Sequence, residues 1–506
     1  MNLTAILFIT VCAITLAHNP WPTLSLASFG GVGDGVTNNR HAFGAAFKRC
    51  DELGGCRLVL PRFGDEETVY RTSALNLTSR LQLVIPSAVT LQGTETDEDN
   101  MGAIWPTLQY SSAPAPCSYT GRCGPAKQAW IRGFNLTDVS ISGGGTLHAG
   151  GRYWWCVRYN LKEGHIRWQP AMEKYGCATT AALPNTTLPD GRTVQTSPPR
   201  MMHIIESSNI VLSNITVTMS PFWTLHFQFS DQILVDGVRI FNPSNATFQA
   251  PNGDGIDIDS STNALVRNCH IHAGDDALCV KSGDDWLGRH VARPSENVTF
   301  EDCFVTSGHG LTIGSEASGG VRNVTFRRIR LQGAGGVGPG GPHFKTQRGR
   351  GGLWEDILWE DISGDDVFYT ISFGENHALG PVGNATTTPR IRNIQVRNMK
   401  LTNAIGSYQG IFTLAEMPIE NLTLRNISFT MKRGYRGTPW VCTAFQGSNY
   451  HVPNRLFAWG SAEKLDPPLV GRGYNCSFAV PPPSAASKLS VASRADALSE
   501  SAIVLT

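Results

Sequence analysis

Through the middle of the chain, apolar and polar residues alternate in short runs that resemble one another. The runs are NIVLSNITV (209–217), QILVDGVRI (232–240), NALVRNCHI (263–271), NVTFEDCFV (297–305), NVTFRRIRL (323–331), DILWEDISG (356–364), NIQVRNMKL (393–401) and NLTLRNISF (421–429). Each reads as a short strand with alternating apolar positions, a polar pair at a turn, and a second strand. The first two begin 23 residues apart, and later spacings run from 26 to 37. Period-two alternation rich in Val, Ile, Thr and Phe, without a 3.6-residue stripe, argues for strands. A repeat of 20 to 50 residues is the mark of a solenoid. Parallel coils stacked ~4.8 Å apart bury the inner face of every unit. The prediction is an all-β chain forming a single right-handed parallel β-helix. A β-sandwich is the alternative, but it has no reason to repeat the turn pair in one register.

The segment ASFGGVGDGVTNNRHAFGAAFKRC, ending at Cys50, closes on a helical pattern. It predicts a short N-terminal helix capping the first coil, whose open edge needs cover. From PPPSAASKLS onward the composition is Pro, Ser and Ala with scattered charge, so 479–506 is expected to be disordered. The expected organisation is a leader at 1–17, one β-helix domain over 18–478, and that tail.

Composition narrows the partners. Among 506 residues, 42 Lys and Arg face 41 Asp and Glu, a net charge of +1, which does not suit a nucleic-acid binder that neutralises phosphates. A hydrophobic fraction of 41% excludes general disorder. No internal apolar run reaches the ~18 residues of a membrane span. A monomer acting on neither nucleic acid nor membrane is expected.

MNLTAILFITVCAITLA reads as a secretory signal ending at Ala17. Removing it leaves eleven cysteines, several close in sequence: Cys50 and Cys56, Cys117 and Cys123, Cys156 and Cys177. Short loops between cysteines suit disulfides in an oxidising compartment. Cys279–Cys303 and Cys442–Cys476 are the further expected pairs, with Cys269 free. Beyond the leader, eleven N-x-[ST] sequons, at Asn76, Asn135, Asn185, Asn214, Asn245, Asn297, Asn323, Asn384, Asn421, Asn426 and Asn475, point to a secreted glycoprotein.

Candidate chemistry concentrates in three neighbouring units, NGDGIDIDS (252–260), AGDDALCVKSG (273–283) and SGHGLTIGSE (307–316). Asp254 and Asp275 lie 21 residues apart, about one coil, and should stack on one outer face with Asp276 beside them. His309 should stack on the next coil. Adjacent carboxylates raise one another's pKa, which allows one protonated acid beside an ionised base. Two such carboxyls fit glycoside hydrolysis. Asp257 and Asp259 are expected to cap backbone N–H groups or face solvent. An aspartate cluster also suits calcium, but these loops lack staggered oxygen ligands, and Lys281 and His309 compete with a metal. Neither a metal nor a cofactor is expected. Lys345, Arg348 and Arg350 in HFKTQRGRGG (343–352) place positive charge within reach of an acidic centre, as an anionic polymer would need.

The ordered series NGDGID, GDD, GHG and a late Lys in a glycine-rich turn resembles glycoside hydrolase family 28, the polygalacturonases and their relatives. FGGVGDGVTNNRHAF is similar to the opening of many pectin-acting β-helices, and the likeness covers about residues 28 to 430. The resemblance implies inverting hydrolysis of α-1,4-galacturonosyl bonds. It implies Asp275 as general acid, Asp254 and Asp276 as the pair activating water, His309 as tuner of the acid, and Lys345 as a cation holding a substrate carboxylate. Asn252 matches the asparagine of the family's N-T-D motif, with Gly253 in place of threonine. The family's R-x-K reads His343-Phe344-Lys345, so His343 stands where an arginine binds carboxylate and Arg348 or Arg350 would substitute. Ala277 replaces a cysteine that often follows the Asp pair, and the Asp-Gln-x-Tyr segment is replaced around 371–377.

The expected substrate-binding set is therefore Asn252, Lys281, His343, Lys345 and Arg348. The sequence reads as a secreted, extracellular or wall-associated glycosidase acting on polygalacturonate or pectin. A rhamnogalacturonan or xylogalacturonan hydrolase, a calcium-dependent pectate lyase and a catalytically silent wall-binding protein are the alternatives.

Overall fold

The structure is a computed structural model. It describes residues 21–94, 126–160, 198–375 and 387–433, apart from gaps at 246–247, 335–337, 406–409 and 415–416, plus strands at 107–108, 185–187, 193–195, 441–445 and 460–466. The expected leader and tail lie outside the described residues, as does at least one member of the pairs Cys117–Cys123, Cys156–Cys177 and Cys442–Cys476.

Strands pair in parallel, coil upon coil, into an 11-stranded and a 21-stranded sheet, which together wind as a right-handed parallel β-helix. A middle coil contributes one strand to the smaller sheet, such as Ile256–Asp259, and two to the larger, such as Thr262–Arg267 and His270–His272. In the last coils those two fuse into single long strands, Val321–Gln332, Leu353–Asp365, Arg390–Ala404 and Glu420–Met431.

Period-two alternation decides what goes inside. In the smaller sheet the register aligns Ile204, Phe227, Ile258, Val280, Ile313, Phe344, Phe373 and Ile411 in one inward file, each at most 1% exposed. Full burial of each such side chain contributes about 1.5–3 kcal/mol. Aromatic rings add stacking: Phe300 on Phe326 at 4.7 Å and Phe326 on Trp359 at 5.4 Å between centroids.

The polar turn pairs have a structural task. Asn263, Asn268, Asn297, Asn323, Asn393, Asn398, Asn421 and Asn426 all have φ between 52° and 58°, the left-handed region that asparagine tolerates. Their amides link coil to coil. Asn323 Nδ2 donates to Asn297 Oδ1 at 2.7 Å, and Asn297 Nδ2 to Asn263 Oδ1 at 3.1 Å. Asn421 and Asn426 donate to Asn393 and Asn398. The next residue turns inward as an apolar strand residue and the one after faces out, often as Thr or Ser. Much of the sequon series is thus a by-product of the repeat.

Arg40–Glu52 is the expected helix. It buries Ala42, Phe43, Ala46, Phe47 and Cys50 against the first coil, and a Cys50–Cys56 disulfide ties its end to the adjoining strand. The expected Cys279–Cys303 pair does not form: Cys269, Cys279 and Cys303 are buried thiols. Cys269 and Cys303 occupy the corner after a larger-sheet strand, their thiols donating to the Arg267 and Glu301 carbonyls, whereas Cys279 lies on the outer row of the smaller sheet.

Candidate active site

The outer face of the smaller sheet carries the chemistry. Its register aligns His226, Asp257, Cys279, Thr312 and His343 in one outward row, with Asp259 beside Lys281 in the next. Ile256 pairs with Leu278, so Asp254, two residues before the first, lines up with Asp276, two before the second. The expectation that Asp254 stacks on Asp275 is off by one residue, because this coil spans 22 residues and not 21.

Asp254, Asp275, Asp276, His309 and Lys345 nevertheless converge. His309 Nδ1 is 2.8 Å from Asp275 Oδ1 and 4.0 Å from Asp276 Oδ1. Lys345 Nζ donates to Asp276 Oδ1 at 2.6 Å and lies 3.7 Å from Asp275 Oδ1. Thr312 adds a 3.3 Å bond to Asp276 Oδ1, and the Cys279 thiol approaches Asp276 Oδ2 at 3.6 Å. Asn252 Nδ2 reaches Asp275 Oδ2 at 3.3 Å. The two glycines flanking His309 are obligatory. Gly308 at φ 132° would put a Cβ 2.7 Å from the Asp275 carbonyl, and Gly310 at φ 116° would put one 2.5 Å from that of Gly341. Among the described residues, Asp275, Asp276 and His309 bring three possible ligand atoms within 4.8 Å. The Lys345 ammonium already neutralises that cluster.

Four other expected site residues are placed as follows. His343 Nδ1 lies 3.1 Å from the His309 carbonyl and 2.8 Å from Tyr369 Oη. Arg348 is half-buried in the turn after the Lys345 strand. Arg350 is buried against Asp284 and does not substitute for a missing arginine. Lys281, expected to touch substrate, is 2% exposed beneath the carboxylates. Asp257 and Asp259 are fully buried and neither faces solvent. Asp259 accepts from His226, Gln228 and the Gly283 N–H.

Charge distribution also departs from the simple like-charge picture. Burial, opposed by Lys281 and reinforced by neighbouring aspartates, pushes the Asp254 carboxyl well above the ordinary range. Burial pushes Asp275 the same way, but the charges of His309 and Lys345 outweigh it and hold that carboxyl well below its usual value. Asp276 is likewise lowered, with Lys345 overcoming burial and the Asp275 charge. Burial disfavours the His309 cation, yet its contact with Asp275 raises it. The Asp275–His309 pair thus holds a proton in the site. Sequence reading gave no role to Glu316, Thr312, Trp223 or Tyr369. Outward placement on the repeat was the available signal for Thr312, but no motif marked it.

Two carboxylates on adjacent coils, a proton held on a histidine–aspartate pair, and an ammonium beside them form the equipment of a glycosidase. The sequence profile described as "Glycosyl hydrolases family 28" matches residues 185–450, more than half the chain, and the chain belongs to that family. A probable polygalacturonase of Vitis vinifera is 27% identical over 440 residues, covering 84% of this chain and 77% of its own. An exopolygalacturonase from Thermotoga maritima superposes with TM-score 0.66 at 24% identity, covering 82% of this chain and 88% of its own. A polygalacturonase from Erwinia carotovora ssp. carotovora gives 0.56 at 20% identity, over 82% and 95%. These two structures share the fold.

Proposed function

We propose that this glycosidase hydrolyses α-1,4-galacturonosyl bonds of polygalacturonate with inversion, using Asp275 as general acid and Asp254 with Asp276 as the water-activating pair. The observation that carries this reading is the division of the three carboxylates by their partners. Asp275 Oδ1 faces the His309 imidazole at 2.8 Å, so the proton needed by the leaving oxygen is stored beside it. Asp276 Oδ1 is tied to Lys345 and Thr312. Asp254 Oδ1 is buried without a hydrogen-bond partner, an acceptor position suited to the attacking water. As the bond breaks, the proton held by the His309–Asp275 pair passes through Asp275 to the leaving oxygen. Water loses its proton to Asp254 while attacking the opposite face of the sugar.

Lys345, at the rim of this group, supplies positive charge for a galacturonate carboxylate. Cleavage from a chain end is supported by the sheet face on the N-terminal side of Asp254. There His203, His226 and Gln228 on the outer face are each no more than 2% exposed, so these residues offer a polymer no exposed surface. Secretion is supported by the leader-like apolar start and by the Cys50–Cys56 disulfide.

His343, in place of an arginine, favours one second reading: a decorated galacturonan such as xylogalacturonan. The test uses the full chain with EDTA on polygalacturonate and xylogalacturonan. Reducing ends, product length and unsaturated-product absorbance are followed, with Asp275→Asn alongside. Reducing ends without absorbance, released as single units and lost in the variant, are expected. Unsaturated products, or full activity in the variant, would refute the mechanism.

A further inference from the structure

We propose that Lys281 is the positioning residue of the water-activating carboxylate: its buried ammonium occupies Asp254 Oδ2 and leaves Oδ1 free for water. The inference rests on Asp254 acting as the base, as argued above. Lys281 Nζ lies 3.0 Å from Asp254 Oδ2, 3.5 Å from Asp257 Oδ1 and 3.5 Å from Glu316 Oε2. The Trp223 ring covers it, with its centroid 3.8 Å from Nζ. At 2% exposure, this lysine cannot bind a polymer.

A lone charge buried there would be costly, and only the surrounding carboxylates and ring make the site tenable. The fold makes room for it deliberately at one point. A Cβ on Gly314 would lie 3.2 Å from Lys281 Cγ and 3.4 Å from Glu316 Oε2, so a side chain there would crowd the lysine stem.

Burial raises the Asp254 carboxyl even with Lys281 beside it, and without that cation the rise would be greater still. Asp257, Asp275 and Asp276 push in the same direction. Lys281 is the first charge opposing them. The groups facing it are Asp254 from the loop before its strand, Asp257 from the adjacent strand, Glu316 from the following coil, and Cys279 on its own strand. Those facing Asp254 besides Lys281 are Asp257, Asp275 and Asp276.

The experiment measures kcat and KM on polygalacturonate across pH for wild type, Lys281→Gln, Lys281→Arg, Glu316→Gln and Asp254→Asn. In Lys281→Gln the acidic limb of the kcat profile should rise by about one pH unit, with KM changed by less than about twofold. Lys281→Arg should restore the limb. Should Lys281→Gln fail to fold, by circular dichroism and denaturant unfolding, Glu316→Gln still decides. Its side chain is 18% exposed, and removing one carboxylate that shares Lys281 should move the limb down. An unmoved limb in the folded variants, or a loss confined to KM, overturns the role of Lys281. Full activity in Asp254→Asn overturns the underlying assignment, whereas an inactive Asp254→Asn beside an unmoved Lys281→Gln limb overturns the lysine alone.

Discussion

Replacing His309 by Asn tests where the leaving-group proton is kept. The variant removes the imidazole 2.8 Å from Asp275 Oδ1 and leaves Asp275 facing Lys345 at 3.7 Å. A unit charge at that distance, in an effective dielectric of about 20, is worth roughly 4 kcal/mol. Asp275 is 18% and Lys345 11% exposed, so solvent screening reduces this to about 3 kcal/mol. Loss of the His309 charge relaxes part of the lowering of Asp275. At about 1.4 kcal/mol per decade, however, Lys345 alone keeps protonated Asp275 roughly a hundredfold rarer than it would be without that ammonium, and no partner resupplies the proton. That figure lies inside the ~10²–10⁴ range of general-acid assistance. Two substrates read it: polygalacturonate, whose alkoxide leaving group needs the proton, and an aryl galacturonide, whose phenolate does not. Turnover of the polymer should fall by about 10², that of the aryl substrate by less than about tenfold. Equal losses on both would place His309 in binding and refute the proton store.

Other outcomes follow from the same packing and charge. Asp257 and Asp259 are each pushed by burial up to about 7 from 3.8. Raised folded-state values for acids stabilise the fold below the unfolded pKa, and that stabilisation is lost as pH rises towards 7. Denaturant unfolding should therefore show stability falling between pH 4 and 7, by at most about 1.4 kcal/mol per unit for each group, with a shallower slope in Asp257→Asn. Trp359→Ala should cost about 3–5 kcal/mol in urea unfolding, since the ring is fully buried, stacks on Phe326 and donates to the Leu311 carbonyl. A loss below 1 kcal/mol, about one methylene, would contradict the packing described. Peptide mass mapping should find Asn297, Asn323, Asn421 and Asn426 without glycan, their Nδ2 atoms being engaged between coils. Full occupancy there would disprove the amide ladder.

How much the sequence disclosed depends on the range of the forces involved. Alternation such as that in Asn297–Val298–Thr299–Phe300 is local: it sets which side chains face in, and repeated often enough it leaves a coil as the arrangement that buries every inner face. The capping helix was legible for the same reason, through the apolar positions Phe43, Ala46 and Phe47. The candidate site was legible as motifs, since Asp254, Asp275 and His309 sit beside glycines that mark close backbone approach, Asp276 follows Asp275, and Lys345 precedes a glycine-rich turn. Their mutual arrangement was not. Counting residues put Asp254 over Asp275, whereas strand register put it in line with Asp276. Cys279 looked like a partner for Cys303 until the sheets set them on different faces. Lys281 read as a substrate-binding cation and proved to be buried, and Asp257 and Asp259, read as backbone caps or solvent-facing, proved to be interior, with Asp259 capping the Gly283 N–H. Register, burial and the neighbours of a charge are sums over contacts between residues 20 or more positions apart. They alone decided which carboxylate stays ionised and which holds a proton. Strand pattern is written residue by residue; electrostatics is fixed only when the coils close on one another and exclude water.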